Sequence, residues 1–191
     1  MNVYSAILRR RSIRRYKEQP IPESVVYKLI DAARLAPSAG NVQPLEFVTI
    51  CSPEGCEMVF PTLKWARHIQ SGDTPPEGKR PTAYVIVLIN RHVMSKGGGH
   101  EAGAAVQNIM LEALEEGLGT CWLRSIDRAG LSEKLGVPDK YEIDSVVAIG
   151  KPAEAPMTEA IKNDTVYWRD DRGVMHVPKR VTDNIHHREK F

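Results

Sequence analysis

Arg10-Arg11-Ser12-Ile13-Arg14 sets three guanidinium groups and a hydroxyl on a short stretch that follows an amphipathic start. Guanidinium forks match phosphate oxygens two at a time, and a serine hydroxyl adds a hydrogen bond that does not depend on charge. The same run is compatible with a solvated basic stretch or a weak nucleic-acid patch, so its meaning depends on what surrounds it. Just before it, Asn2 is a candidate cap for a first helix with Val3, Ala6 and Ile7 facing inward.

Working outward, the next informative stretch is Ala36-Pro37-Ser38-Ala39-Gly40-Asn41-Val42-Gln43-Pro44. Pro22 suits a first helical position, Val26, Leu29, Ile30 and Ala33 repeat at helical spacing, and Pro37 stops the run. Glu46 to Cys51 is β-branched and apolar enough to be a strand. The loop between presents backbone amides with Ser38, Asn41 and Gln43, a set of donors and acceptors suited to a heterocycle carrying carbonyls and ring nitrogens. An ordinary turn closing a helix has the same composition.

Residues from about 54 to 82 read as one long irregular excursion, because Gly72 to Pro81 is too rich in proline, glycine and charge for a core element. Phe60, Leu63 and Trp65 lie close together in it, either as an aromatic pin for a surface loop or as part of a lid that shapes a substrate pocket. Ala83 to Ile89 is a continuous apolar run of strand length, expected to be central and buried on both faces. Gly97 to Gly99 leads into a helix over about 100–117, where Gly103, Ala104, Ala105, Ile109, Ala113 and Leu114 form a surface open to close helix packing, within one subunit or between two. Thr120 to Arg124 and Glu142 to Ile149 are expected strands, with Gly136 closing a helix between them. In the tail, Val166 to Arg169 and Val174 to Val177 flank an Asp/Gly turn and read as a hairpin, and Val181 to Lys190 reads as a polar helix that needs a partner surface. His186 and His187, adjacent on such a helix, point to different faces and read as solvated surface.

Composition bounds the remaining classes. The chain has 191 residues, enough for one sizeable core, and a formal net charge of only +2, which argues against nucleic acid as its main partner. Cys51, Cys56 and Cys121 lack zinc-type spacing and are expected as reduced thiols in the cytoplasm. Neither a signal-type apolar segment nor an 18-residue apolar run occurs, so no secretion and no membrane spanning are expected. No Ser-His-Asp or Cys-His arrangement is evident, so no catalytic acid, base or nucleophile and no metal ligand is assigned.

The basic run and the loop occur in the order basic-basic-Ser-x-basic, then Ala-Pro-Ser-x-x-Asn-x-Gln-Pro. With two further blocks, Glu101 to Leu123 and Val146 to Pro152, they resemble the nitroreductase family of flavin enzymes. That resemblance spans about residues 4 to 188. It implies a single α+β domain over 1–191, with a central mixed, mostly antiparallel β-sheet flanked by helices, in a homodimer that exchanges a C-terminal extension from about residue 164. It further implies FMN as cofactor, with Arg10, Arg11, Ser12 and Arg14 at its phosphate and ribityl end. Pro37, Ser38, Ala39, Gly40, Asn41 and Gln43 of the other subunit would line the isoalloxazine, and a backbone amide within Leu123, Arg124 and Ser125 would face flavin N5. Lys179 and Arg180 match a further basic pair at the phosphate. In this context Phe60, Leu63 and Trp65 would cover the ring and line the substrate pocket. The implied activity passes hydride from NAD(P)H through the flavin to a small-molecule acceptor such as a nitroaromatic or quinone, by a ping-pong scheme, with no nucleic-acid or membrane partner. A nonredox flavin-binding protein, a flavin-dependent dehalogenase and a flavin-fragmenting enzyme are the alternatives.

Overall fold

The computed structural model describes residues 1–66, 69, 73–161 and 164–190. Its frame is a five-stranded sheet built from β1 (Tyr16–Lys17), β2 (Leu45–Ile50), β3 (Ala83–Asn90), β4 (Gly119–Leu123) and β5 (Tyr141–Pro152). The path runs β1-β5-β3-β2, with β4 also paired to β5, and every pairing in this sheet is antiparallel. Among the described residues the parallel pairings are a Ser12–Thr120 bridge and β6 (Met157–Ala160) against β8 (Met175–Lys179) in a second, three-stranded sheet completed by β7 (Trp168–Arg169).

Because successive strand side chains point to opposite faces, the apolar run of β3 feeds two cores. Val85 and Val87 pack with α2 (Glu23–Arg34) and α4 (Gly99–Glu115), through Val26, Leu29, Ala33, Ala105, Val106 and Ile109. Tyr84, Ile86 and Leu88 pack on the other side with Cys56 and Val59 of α3 (Pro53–Val59), with Leu63 and Trp65, and with Leu131 of α5 (Arg128–Leu135). Gly98 enters α4 at φ 90° and Gly136 leaves α5 at φ 60°, left-handed conformations that glycine adopts without a Cβ penalty.

Three expectations need correction. The polar helix over Val181–Lys190 does not form, and only a single 3-10 turn at Thr182–Asn184 appears, since one apolar residue cannot offset helix nucleation. In α1 (Val3–Arg9) Asn2 does cap, accepting from Ser5 N, and Ala6 is buried, yet Val3 and Ile7 are 70% and 47% exposed. The excursion is not a loop with little core: α3 and the 3-10 turn Phe60–Thr62 organise its first third, and Leu63 and Trp65 are 7% and 5% exposed. Residues 67, 68 and 70–72 of the proposed lid lie outside the described residues.

The tail hairpin forms as expected, but β6 beside it was not foreseen. His176 on β8 ties the small sheet together. Its ring stacks on Trp168 at 5.0 Å, its Nδ1 bonds Glu159 of β6, and its Nε2 lies 3.3 Å from Asp170 in the turn. Hydrogen bonds to Glu159 and then to Asp170 raise the His176 pKa above 6.5.

Candidate functional site

After α1 the chain runs extended beside β4, with Ile13 N donating to Thr120 O at 2.8 Å. It lies very close to the sheet. A Cβ on Gly119 would fall 2.7 Å from Ile13, and one on Gly150, the cross-strand partner of Gly119, would fall 2.7 Å from Tyr16. Tyr16 is fully buried, and its hydroxyl donates back to Ile13 O at 2.5 Å.

This placement puts Arg10 and Arg11 in the wall of a cavity of about 410 Å³, together with Ile13, Thr120, Glu154 and Thr158. Burial, and then the like charge of Arg11, lower the Arg10 pKa, so two mutually repelling guanidinium groups share this wall. Arg11 is tied down by donating to the α1 carbonyls of Leu8 at 2.6 Å and Ile7 at 3.3 Å. Arg14 lies 5.0 Å from the Tyr167 ring centroid, and its buried Nε has no hydrogen-bond partner among the described residues. Ser12 is turned toward the Cys121 thiol, whose pKa burial pushes up while the Ser12 hydrogen bond opposes that rise.

A chain of charges beneath the run escaped the sequence reading. Glu154 accepts from Arg14 N at 2.5 Å and from Arg169 Nη1 at 2.8 Å; Arg169 Nη2 also reaches Asp73 at 2.6 Å, and Asp73 pairs with Arg15. Asp73 and Glu154 side chains are 4% and 8% exposed. Burial acts to lower the Arg169 pKa, but the two carboxylates outweigh it and the net direction is upward. These residues come from four separate parts of the chain and share no motif, so spacing carried no signal for them.

The Pro37–Gln43 loop makes a different feature. Gly40, Asn41 and Gln43 take φ of 58°, 56° and 50°, a conformation rare for glutamine, so the loop is held against its local preference. The holding contacts are Gln43 N to Ser38 Oγ at 3.0 Å and Ala39 N to the buried Glu101 carboxylate at 3.4 Å. Gly40 to Gln43 are exposed, and Pro37, Ser38 and Gln43 line a cavity of about 160 Å³ that shares no residue with the Arg10–Arg11 cavity. Within one chain the two expected halves of a flavin site are therefore apart.

Leu123 ends β4 in register with Val146, and the exposed Arg124 that follows lies 3.6 Å from the buried Asp144. Beneath this segment sit Leu63, which bridges Ile126, and Trp65, 6.1 Å from Phe60. Leu63 and Trp65 thus face the core beside Leu123 instead of opening onto a substrate cavity, while the half-buried Phe60 is covered by the Arg80 guanidinium at 4.3 Å. Lys179 and Arg180 are exposed at the end of β8, outside the Arg10–Arg11 cavity, and Arg180 bonds Asn184 O.

Comparison with known proteins places these features in a wider set. The profile of the Nitroreductase family matches residues 7–151. A protein from Archaeoglobus fulgidus, provisionally named a NADH dehydrogenase/NAD(P)H nitroreductase, is 30% identical over 192 residues, covering 97% of this chain and 96% of its own. The NADH dehydrogenase of Thermus thermophilus is 26% identical over 200 residues, covering 88% of this chain and 97% of its own. A crystal structure from Desulfovibrio desulfuricans, provisionally named a nitroreductase and solved in complex with FMN, superposes with a TM-score of 0.69 at 30% identity, covering 85% of this chain and 92% of that one.

Proposed function

Since this chain belongs to the nitroreductase family, we propose that it is an FMN-dependent oxidoreductase passing electrons from NAD(P)H to a small oxidised acceptor such as a nitroaromatic or quinone. The observation that carries this reading is the cationic cluster: Arg10 and Arg11 crowd one cavity wall, and Arg14 keeps a buried, unpartnered N–H. A terminal phosphate fits that chemistry, since its oxygens accept charge-assisted hydrogen bonds and relieve the repulsion between neighbouring guanidinium groups. Bound FMN would supply the redox chemistry itself, taking a hydride at N5 and giving it to the acceptor.

The chain's own residues would bind and orient. Arg10, Arg11 and Arg14 would hold the phosphate and ribityl end, and the Leu123–Ser125 backbone would face the ring edge. The strained Pro37–Gln43 loop of a second copy would close over the ring. A two-chain site is favoured by the separation of the two cavities in one chain and by the apolar face of α1, where Val3, Tyr4, Ile7 and Leu8 are 70%, 70%, 47% and 57% exposed. Val181 and Ile185, about half exposed beyond β8, suit an arm laid on that second copy. Among the described residues no helix is long and apolar enough to cross a membrane.

The test is the absorption spectrum of the purified protein, followed by identification of the released flavin and light scattering. FMN bound to a dimer that oxidises NAD(P)H is the expected result. FAD, or a colourless protein that cannot be reconstituted with FMN, would sink the cofactor assignment, and a monomer that keeps its flavin would sink the two-chain site.

A further inference from the structure

The geometry points to Arg128 as a positioning residue for the flavin ring, acting through the peptide between Arg124 and Ser125, an inference that rests on the FMN reading above. In a trans peptide the carbonyl of one residue and the N–H of the next lie in one plane and point in opposite directions. Whatever fixes the Arg124 carbonyl therefore aims the Ser125 N–H. Arg128 fixes it: Nη2 donates to Arg124 O at 3.1 Å. The same guanidinium reaches two carbonyls of β5, with Nη2 to Asp144 O at 2.8 Å and Nε to Ile143 O at 2.9 Å.

Strand β5 is paired to β3 at Ile143 and to both β3 and β4 from Val146 on, with Asp144 at a bulge in the β3 pairing, so the ladder on either side of these two carbonyls supplies the reference. A planar guanidinium bonded to three carbonyls transmits that reference to the loop, which the point charge of an ammonium cannot do. The following peptide is held from the opposite side, since Lys64 N donates to Ser125 O at 3.0 Å and Asp127 N donates to Thr62 O at 2.8 Å. Ser125 itself is exposed, and among the described residues none accepts from its N–H. That N–H is thus aimed by its neighbours and free to donate to a ring nitrogen. Positioning within a few tenths of an ångström governs how well such a donor stabilises charge arriving on its acceptor.

The experiment compares wild-type holoprotein with Arg128→Lys and Arg128→Gln, each reconstituted with FMN. The expected result separates binding from orientation. Thermal midpoint stays within a few degrees and the FMN dissociation constant within about threefold, because the phosphate grip is remote, while the rate of flavin reduction by NADH falls at least about tenfold. The Ser125 amide resonance, which moves on flavin reduction in the wild type, loses that response in both variants. Unchanged reduction rates and an unchanged Ser125 response would overturn the inference and leave Arg128 a purely structural clamp. Should both variants fail to fold, the wild-type holoprotein decides: a Ser125 amide that does not respond to flavin reduction refutes the positioning role. A wild-type protein that takes up no FMN overturns the flavin reading, and this inference with it.

Discussion

Arg169→Met should destabilise the protein by about 3 kcal/mol, because it strips one charged partner from two buried carboxylates at once. The Arg169 guanidinium spans Asp73 at 2.6 Å and Glu154 at 2.8 Å, and those side chains are 4% and 8% exposed. Breaking a buried ion pair by removing one partner costs about 3–5 kcal/mol, since the surviving charge is left poorly solvated. Here each carboxylate keeps a second partner, Arg15 for Asp73 and Arg14 N for Glu154, and Arg169 is itself 20% exposed, so the lower end applies. For a chain of this size that corresponds to a fall in Tm of roughly 6–12 °C. Urea unfolding should show the midpoint dropping with an unchanged slope, and a double-mutant cycle with Asp73→Asn should give a coupling of about 1 kcal/mol or more. The effect should persist in 0.5 M NaCl, roughly the regime where an exposed pair is screened out. A loss below about 1 kcal/mol, or one abolished by salt, would show the network to be a surface pairing and refute the argument.

Arg14→Ala should weaken FMN binding by about 1.5–3 kcal/mol, the value of a charge-assisted hydrogen bond, and an unchanged constant in a flavin titration would remove Arg14 from the site. Trp65→Ala should cost about 3–5 kcal/mol of stability as a core truncation, while the kcat/KM ratio between large and small acceptors stays put; a changed ratio in a fully folded variant would restore the lid role. The His176 clamp has a folded pKa above its unfolded value, so its stabilisation is complete below about pH 6.5 and is lost as pH rises through the folded pKa. Ring titration by NMR, with Tm followed from pH 6 to 9, should show that loss in the wild type and not in His176→Gln; parallel profiles would refute the clamp.

The elements most legible in the sequence were those in which one local rule acted alone. Apolar residues at helical spacing in α2, the unbroken apolar run of β3 and the glycine after α5 each specified their structure without help from distant residues. The basic run was legible as a cationic cluster on a cavity wall because charge density is a local property. Trp65 was misread because the proline, glycine and charge that follow it suggested an exposed loop, whereas burial against Tyr84 and Leu131 is decided by tertiary packing. The Asp73–Arg169–Glu154 network was invisible for a related reason: its members lie up to 96 residues apart and meet only in the folded chain. The Val181–Lys190 helix was assigned from polarity and spacing, but without an apolar stripe nothing in this chain rewards the first turn.

Gly119 and Gly150 face each other across β4 and β5, and together they form a notch in the sheet into which Ile13 and Tyr16 settle. The height of the arginine segment above the sheet is thus set by two missing methyl groups. A Cβ at either position would meet its neighbour at 2.7 Å, and since the segment is itself tied to the sheet by the Ile13–Thr120 bond and the β1–β5 pairing, those ties would have to stretch to make room. One carbon atom added there would displace the backbone that carries Arg10 and Arg14 without altering either side chain. The placement of the two arginines can thus be changed from the interior, by substitutions remote from their side chains.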